Sequence, residues 1–400
     1  MTIQTVTDAI RYVGVDDNTL ALFENQYPVQ PMGVSYNSYV ILDEKIAVMD
    51  SVDARAAEEW LSNVARVLEG RSPDYLVVTH MEPDHSGSLM RLAQKYPEMK
   101  IVGNAKTFTL IKQFFGTGAL SEDRMLEVGE RDTLSLGLHR LRFLLAPMVH
   151  WPETMVTWCA EAGTLFSGDA FGTFGAIDGG ITDSQIDPSR YWDEMRRYYA
   201  CIVGKYGGPV QKALAKVRGL NPTTICSTHG PVWQREIPQV MDVYDRLSRY
   251  EGEPGVVIAY GSMYGNTEQM AERIARELAA EGVGPIFVHN MSYADESIVL
   301  RDVFRYDTLI VGGPTYNGGL YPPVARLLDL IAARCVPQRN FGWFGSFCWA
   351  SAAVRCLGEF AQKMKWEAIC EPVEMKQGFS PAWHEACHAL AARIAGCMHR

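Results

Sequence analysis

Arg249-Tyr250-Glu251-Gly252-Glu253-Pro254-Gly255 divides the 400-residue chain into two stretches with different grammar. The run mixes charges with two glycines and a proline, and reads as a linker. Beyond it, apolar runs and helical periodicities take regular turns: strand 256–260, helix from about 266 to 280, strand 285–289, helix 297–304 and strand 308–311. Helix 322–333, strand 341–347, a helix after Ser351, strand 368–374 and a closing helix 383–398 continue the series. Such alternation predicts a doubly wound parallel sheet. Residues 254–400 are expected to form one domain and residues 1–250 another.

Before the linker the pattern is less regular. A hairpin (38–42, turn Asp43-Glu44, 45–49) leads into mixed strands and helices, which predicts α/β layers without strict alternation. Its informative feature is that short apolar runs end on metal-ligand residue types. Run 75–79 leads to His80, 143–149 to His150, 164–167 to Asp169 and 223–228 to His229. Strand ends are where loops gather residues distant in sequence.

The first of these places, Thr79-His80-Met81-Glu82-Pro83-Asp84-His85-Ser86-Gly87, is dense in candidate ligands. Pro83 disfavours helical backbone at Glu82, and in an extended chain alternate side chains share a face. His80, Glu82 and Asp84 are thus expected on one side, with His85 free to turn toward a second metal. The bland alternative is a surface loop in which Asp84 or Ser86 caps the next helix. His384-Glu385-Ala386-Cys387-His388 also fits a zinc pattern, but it lies on the last helix with no obvious third ligand and is set aside. His139, His289 and His399 are read as structural or surface residues.

In the second half, Gly261-Ser262-Met263-Tyr264-Gly265-Asn266-Thr267 lies between a strand and its helix, where small and hydroxyl residues expose backbone N–H groups to an anion. The Walker lysine is missing and the glycines do not make Gly-x-Gly-x-x-Gly, so a monophosphate fits better than a triphosphate or a dinucleotide. Gly313-Pro314-Thr315-Tyr316-Asn317-Gly318-Gly319 and Gly345-Ser346-Phe347-Cys348-Trp349-Ala350-Ser351 follow later strands at the same carboxyl edge. Tyr316 and Trp349 can stack on or flank a flat ring.

Composition narrows the classes. The chain is 47% hydrophobic and 21% charged, and no apolar stretch approaches the roughly eighteen residues of a membrane span. A net charge of −10 argues against nucleic acid. The N-terminus lacks the pattern of a secretory signal, so a cytoplasmic location without membrane attachment is expected. Nine cysteines, none spaced Cys-x-x-Cys, indicate neither a disulfide framework nor a built-in rubredoxin.

Together these motifs resemble those of flavodiiron proteins. The first half is similar to their metallo-β-lactamase-like domain, with His-x-Glu-x-Asp-His at 80–85, His150 in His-Trp-Pro-Glu-Thr-Met, Asp169 in Gly-Asp-Ala-Phe-Gly and His229 in Thr-His-Gly-Pro. The second half resembles flavodoxin, with Ser262, Tyr264, Asn266 and Thr267 matching its FMN phosphate loop and Cys348 standing where glycine is usual. The fold implied is a metallo-β-lactamase-like αβ/βα domain followed by a flavodoxin-like doubly wound parallel sheet. The resemblance implies that His80, Glu82 and His150 hold one iron, that Asp84, His85 and His229 hold the other, and that Asp169 bridges them. It likewise implies FMN held by Ser262, Met263, Tyr264, Gly265, Asn266 and Thr267, by Pro314, Thr315, Tyr316, Asn317 and Gly318, and by Ser346, Phe347, Cys348 and Trp349.

The implied activity is transfer of electrons from FMN to a non-haem di-iron centre that reduces O₂ to water, NO to N₂O, or both, with no catalytic side chain beyond the ligands. The implied partners are a separate donor such as rubredoxin or a reduced deazaflavin, and a second copy of the chain in a head-to-tail homodimer or higher oligomer. Trp151, Glu153 and Thr154 are expected to orient His150. One alternative is a zinc hydrolase with a fused flavodoxin module. Zinc enzymes of this superfold usually carry histidine where Glu82 stands, and a hard anionic oxygen ligand suits iron. A second alternative is an electron carrier whose metal domain is only a scaffold.

Overall fold

Strands Ala47–Met49 and Tyr75–Val77 bury every residue, as strands covered on both faces must. They lie inside a seven-stranded sheet ordered Gln4–Thr5, Ile10–Tyr12, Tyr39–Ile41, Ala47–Met49, Tyr75–Val77, Lys100–Gly103, Met125–Glu127. Pairing is antiparallel as far as Ala47–Met49 and parallel beyond it. The expected hairpin is present, with Tyr39 opposite Met49 and Ile41 opposite Ala47. A five-stranded sheet follows, ordered Thr133–Ser135, Arg140–Leu145, Met155–Cys159, Thr164–Gly168, Thr224–Ser227, with only the last pair parallel. Ile41, Met49 and Val77 of one sheet share an apolar core with Phe143, Met155 and Phe166 of the other.

Helix Ala57–Leu68 shows why such segments cover the layers. Trp60, Val64, Val67 and Leu68 recur at helical spacing and are buried, Glu58 and Glu59 occupy the first turn, and Arg66 the last. Glu69 then turns left-handed at φ 48° and ends it. Helix Ala105–Phe115 is fixed by a capping box between Asn104 and Thr107.

In the computed structural model, residues 4–378 and 380–398 are described, and they form two compact units. The first takes in the chain up to Tyr199 and Tyr206–Ser248; the second takes in Ala200–Lys205 and the chain from Arg249 onward. The segment Ala200–Lys205 joins the second unit through Arg334, whose guanidinium donates to the carbonyls of Ala200 (2.8 Å) and Cys201 (3.2 Å).

The second unit is built on parallel strands ordered Ile286–Asn290, Glu253–Tyr260, Tyr306–Tyr316, Asn340–Phe347, Val373–Lys376, the 2-1-3-4-5 order of flavodoxin-like folds, with the short strand Gly319–Leu320 antiparallel to the end of Tyr306–Tyr316. Helices Asn266–Ala280 and Pro381–Met398 bury Ile274, Leu278, Leu390 and Ile394 against it. Several boundaries differ from the sequence reading; the strand expected at 308–311 runs over Tyr306–Tyr316. Glu253, Pro254 and Gly255 already belong to the first strand, where pairing slips between Glu253 and Val256, so the linker is shorter than its composition suggests. The last strand begins at Val373 rather than 368, because Pro372 offers no N–H to a ladder; ahead of it the pairing is reduced to one isolated bridge between Ala368 and Phe341. Among the described residues no helix is long and apolar enough to cross a membrane.

Candidate metal centre and flavin site

Strand Tyr75–Val77 delivers the chain to His80, and Glu82 is extended (φ −57°, ψ 136°) as Pro83 requires. Pro83–Ser86 then closes one helical turn. The extended run therefore stops at Glu82, and the turn carries Asp84 away from His80 and Glu82 to join His85, which corrects the expectation that all three share a face. Strand Thr164–Gly168 ends one residue before Asp169, and Thr224–Ser227 two residues before His229.

These loops produce two groups of side chains. His80, Glu82, His150 and Asp169 form one, and Asp84, His85 and His229 the other. In the first, His150 Nε2 lies 2.7 Å from Glu82 Oε2 and 3.0 Å from Asp169 Oδ2, and His80 Nε2 lies 3.3 Å from the same Asp169 oxygen. In the second, Asp84 Oδ2 is 3.3 Å from His85 Nε2 and 3.2 Å from His229 Nε2, while the two imidazole Nε2 atoms are 2.9 Å apart. Asp169 faces both groups, because its other oxygen, Oδ1, is 3.3 Å from His85 Nε2.

Neighbours hold the rings in place. His229 Nδ1 lies 2.7 Å from the Ser35 carbonyl; donating there leaves Nε2 as the lone pair facing the cluster. The Thr228 hydroxyl donates to Asp169 Oδ1 (2.6 Å). Asp50 accepts from the amide (2.7 Å) and hydroxyl (2.9 Å) of Thr79, beside His80. Of the three residues expected to orient His150, Glu153 instead accepts the amide of Met81 (2.8 Å), between His80 and Glu82, and Thr154 closes a turn on Trp151 through its hydroxyl (2.9 Å).

The electrostatics ask for positive charge. Burial lowers the imidazole pKa of His80, but Asp169 and Glu82 overcome it and raise it well above the usual value. His150 is likewise raised to about 10 against burial, by Asp169 and Glu82. Asp169 is held well below the carboxylate range despite complete burial, first by His80. His80 Nε2, both oxygens of Asp84 and Asp169 Oδ2 are buried without a well-formed hydrogen bond. Buried polar atoms are costly unless paired or bound to metal, so this donor set of imidazoles and hard carboxylates fits two cations of the iron type.

Sequence reasoning missed several neighbours. The Tyr198 hydroxyl is buried without a hydrogen-bond partner, its ring 5.5 Å from that of His229, and its pKa is raised well above normal by burial and then by Asp169. Phe23 stands edge-on to His229 at 5.4 Å. A cavity of about 530 Å³ opens beside Glu82 and Asp84, with Glu24 on its wall. Burial, and next Glu82, push the Glu24 carboxyl up to about 7. No local motif marks these residues; they meet the cluster only through the fold.

In the second unit a cavity of about 360 Å³ is lined by Ser262, Met263, Tyr264, Asn266, Thr267, Pro314, Thr315, Asn317, Gly318, Ser346, Phe347, Cys348 and Trp349. Of the other expected contacts, Gly265 is the left-handed residue (φ 88°) before helix Asn266–Ala280, and the Tyr316 ring stands edge-on to Tyr321. Ala350 and Gln377 complete the wall; Gln377 follows the last strand at the same carboxyl edge. Thr267 and Ser346 join the first and third loops, hydroxyl to hydroxyl at 2.8 Å. A Cβ on Gly261 would meet the Tyr321 ring at 2.4 Å, so only glycine lets the first loop lie this close to its neighbour. Hydroxyls and a helix start in the same lining as the Trp349 ring suit a phosphate and a flat ring.

Three of the remaining histidines have carboxylate partners. His139 Nδ1 lies 2.8 Å from Asp43, His289 Nε2 2.8 Å from Asp302, and His388 Nδ1 2.8 Å from Glu277. His399 lies outside the described residues.

Comparison with known proteins gives the same two-part division. The ODP family beta lactamase model matches residues 34–230 and the flavodoxin model residues 258–385. A nitric oxide reductase of Moorella thermoacetica is 30% identical over 98% of this chain and 97% of its own. Among solved structures, rubredoxin oxygen:oxidoreductase from Desulfovibrio gigas superposes with a TM-score of 0.94 at 30% identity, covering 100% of this chain and 99% of that one. The flavodiiron protein of Giardia intestinalis gives 0.93 at 27% identity, covering 100% and 98%. Both halves match in the same order over nearly the full length, and the chain belongs to the flavodiiron protein family.

Proposed function

We propose that this chain is a terminal reductase that passes electrons from FMN to a pair of non-haem irons, reducing O₂ to water, NO to N₂O, or both. The observation that carries the reading is the division of Asp169, whose two oxygens face two separate groups of imidazole and carboxylate ligands. His80, Glu82 and His150 are assigned to one iron, Asp84, His85 and His229 to the other, and Asp169 to both. When bound, the metals supply open coordination positions and reducing equivalents, and the flavin supplies electron pairs.

The chain's own residues fix orientation and exclude bulk water. Ser35 and Thr228 set the direction of His229 and Asp169, Glu153 holds the backbone between His80 and Glu82, and Phe23 closes the apolar side of His229. On the flavin side, Ser262–Thr267 is assigned to the phosphate, and the 314–318 and 346–349 loops to the ring. The electron donor is assigned as a separate protein or cofactor, rubredoxin or a reduced deazaflavin, and the location as cytoplasmic. The Moorella and Desulfovibrio relatives, one named for nitric oxide and the other for rubredoxin and oxygen, support this class of substrate and donor.

The hydrolase alternative lacks support at Glu82, an anionic oxygen donor whose Oε2 lies 2.7 Å from His150. Metal analysis and the visible spectrum of protein made with ample iron test the reading. About two irons and one FMN per chain are expected; stoichiometric zinc without flavin absorbance would overturn it. The active assembly is assigned as a head-to-tail dimer. Mixing a chain disabled at His80 and Asp169 with one disabled in the 262–267 loop should restore activity, and a fully active monomer would exclude the dimer.

A further inference from the structure

The hairpin over the metal-side cavity has an unusual tip. Strands Leu22–Phe23 and Tyr27–Pro28 pair antiparallel, and the turn between them places Glu24 at φ 51° and Asn25 at φ 53°. Left-handed residues suit such a turn, but Asn-Gly is the common choice, and glutamate there is strained. Strain of this kind persists where the surroundings hold it, and it gathers at functional sites. Phe23 anchors the hairpin on His229, and Glu24 stands with Glu82 and Asp84 on the wall of the same cavity.

The other charges at this mouth are committed. Glu82 and Asp84 face the histidines of the two groups. Asp53 is joined to Arg55 at 3.0 Å, and Arg55 also reaches Asp17 at 3.8 Å. That leaves the Glu24 carboxyl as the charge an arriving molecule meets.

We propose that Glu24 is a specificity-determining residue that screens anions from the metal cluster while admitting small uncharged molecules. The proposal rests on the di-iron reading above. Unscreened metal cations attract any small anion; one carboxylate on the approach opposes this by Coulomb repulsion and leaves a neutral gas untouched. The hairpin holds the charge at the mouth without making it a ligand.

The test is an optical titration of the iron-loaded, oxidised protein with sodium azide at pH 8, alongside stopped-flow binding of nitric oxide to the reduced protein. Glu24→Gln keeps the shape and removes the charge. It should tighten azide binding about tenfold, with the nitric oxide association rate unchanged within about twofold. The difference between wild type and variant should shrink as salt is raised from about 0.05 to 0.5 M. Asn25→Gly, which relieves the turn and keeps the carboxyl, should leave azide affinity as in wild type. The screen is overturned if Glu24→Gln leaves azide affinity unchanged, if azide and nitric oxide shift together, or if Asn25→Gly matches Glu24→Gln. An iron-free protein with no azide band would overturn the di-iron reading itself, and the screen with it.

Discussion

The first unit assembles its site from side chains spread between residues 80 and 229, with His80, His85, Asp169 and His229 at most 1% exposed. The second unit builds its cavity largely from three loops at one sheet edge and leaves Tyr264 and Trp349 90% and 93% exposed. A buried cluster of charge must be satisfied from every direction, so it is fastened to strand ends and to second partners such as Ser35, Thr228 and Asp50. A cavity that admits a large flat molecule has to stay open, and its rings remain uncovered. Damage at the first site is therefore expected to spread across the whole cluster, and damage at the second to stay local.

Asp169→Ala gives the largest expected effect. It removes both oxygens shared by the two groups, so iron should fall well below two per chain and gas reduction by at least about a hundredfold. FMN should remain bound in full. Iron analysis beside flavin absorbance decides it; retention of one full iron would show that the two groups hold metal independently. Glu82→His should act next, lowering iron in favour of zinc because it removes an anionic oxygen donor. Full iron content and activity in this variant would remove Glu82 from the ligand set.

The contrast between the units also governs what the sequence could reveal. The alternation after residue 256 predicts the parallel sheet because each element carries its own period, and the ligand types stand out because they follow apolar runs. Extended geometry carried through Pro83 groups Asp84 with His80 and Glu82, whereas the chain begins a helical turn at Pro83. Tyr198, Glu24 and Gln377 had no local pattern to mark them, and Ala200–Lys205 gave no sign of joining the second unit, since that contact depends on Arg334 more than a hundred residues on.

Thr228→Val sharpens the comparison at a smaller scale. It deletes the 2.6 Å donation to Asp169. Partners of this kind typically carry ten- to a hundredfold in metal affinity, so iron should be lost to a chelator about tenfold more readily while melting of the second unit is unchanged. Equal retention would mean that the imidazoles alone orient Asp169.

Trp349→Ala should have the smallest effect and the most local. The ring lines the cavity while remaining 93% exposed, so it contributes little to folding, and its removal should leave Tm and iron content as they are. Flat aromatic contacts contribute about 0.5 to 1.5 kcal/mol beyond area burial, which corresponds to roughly two- to tenfold weaker FMN binding. Thr267 and Ser346, tied to each other at 2.8 Å, would still hold the first and third loops together, so the phosphate end should be unaffected. Titration of flavin-free protein with FMN and separately with inorganic phosphate reads the two ends. Weaker FMN binding with unchanged phosphate binding is expected. If FMN affinity does not move, the Trp349 ring takes no part in holding the flavin, and its exposure must be explained by what lies outside the cavity.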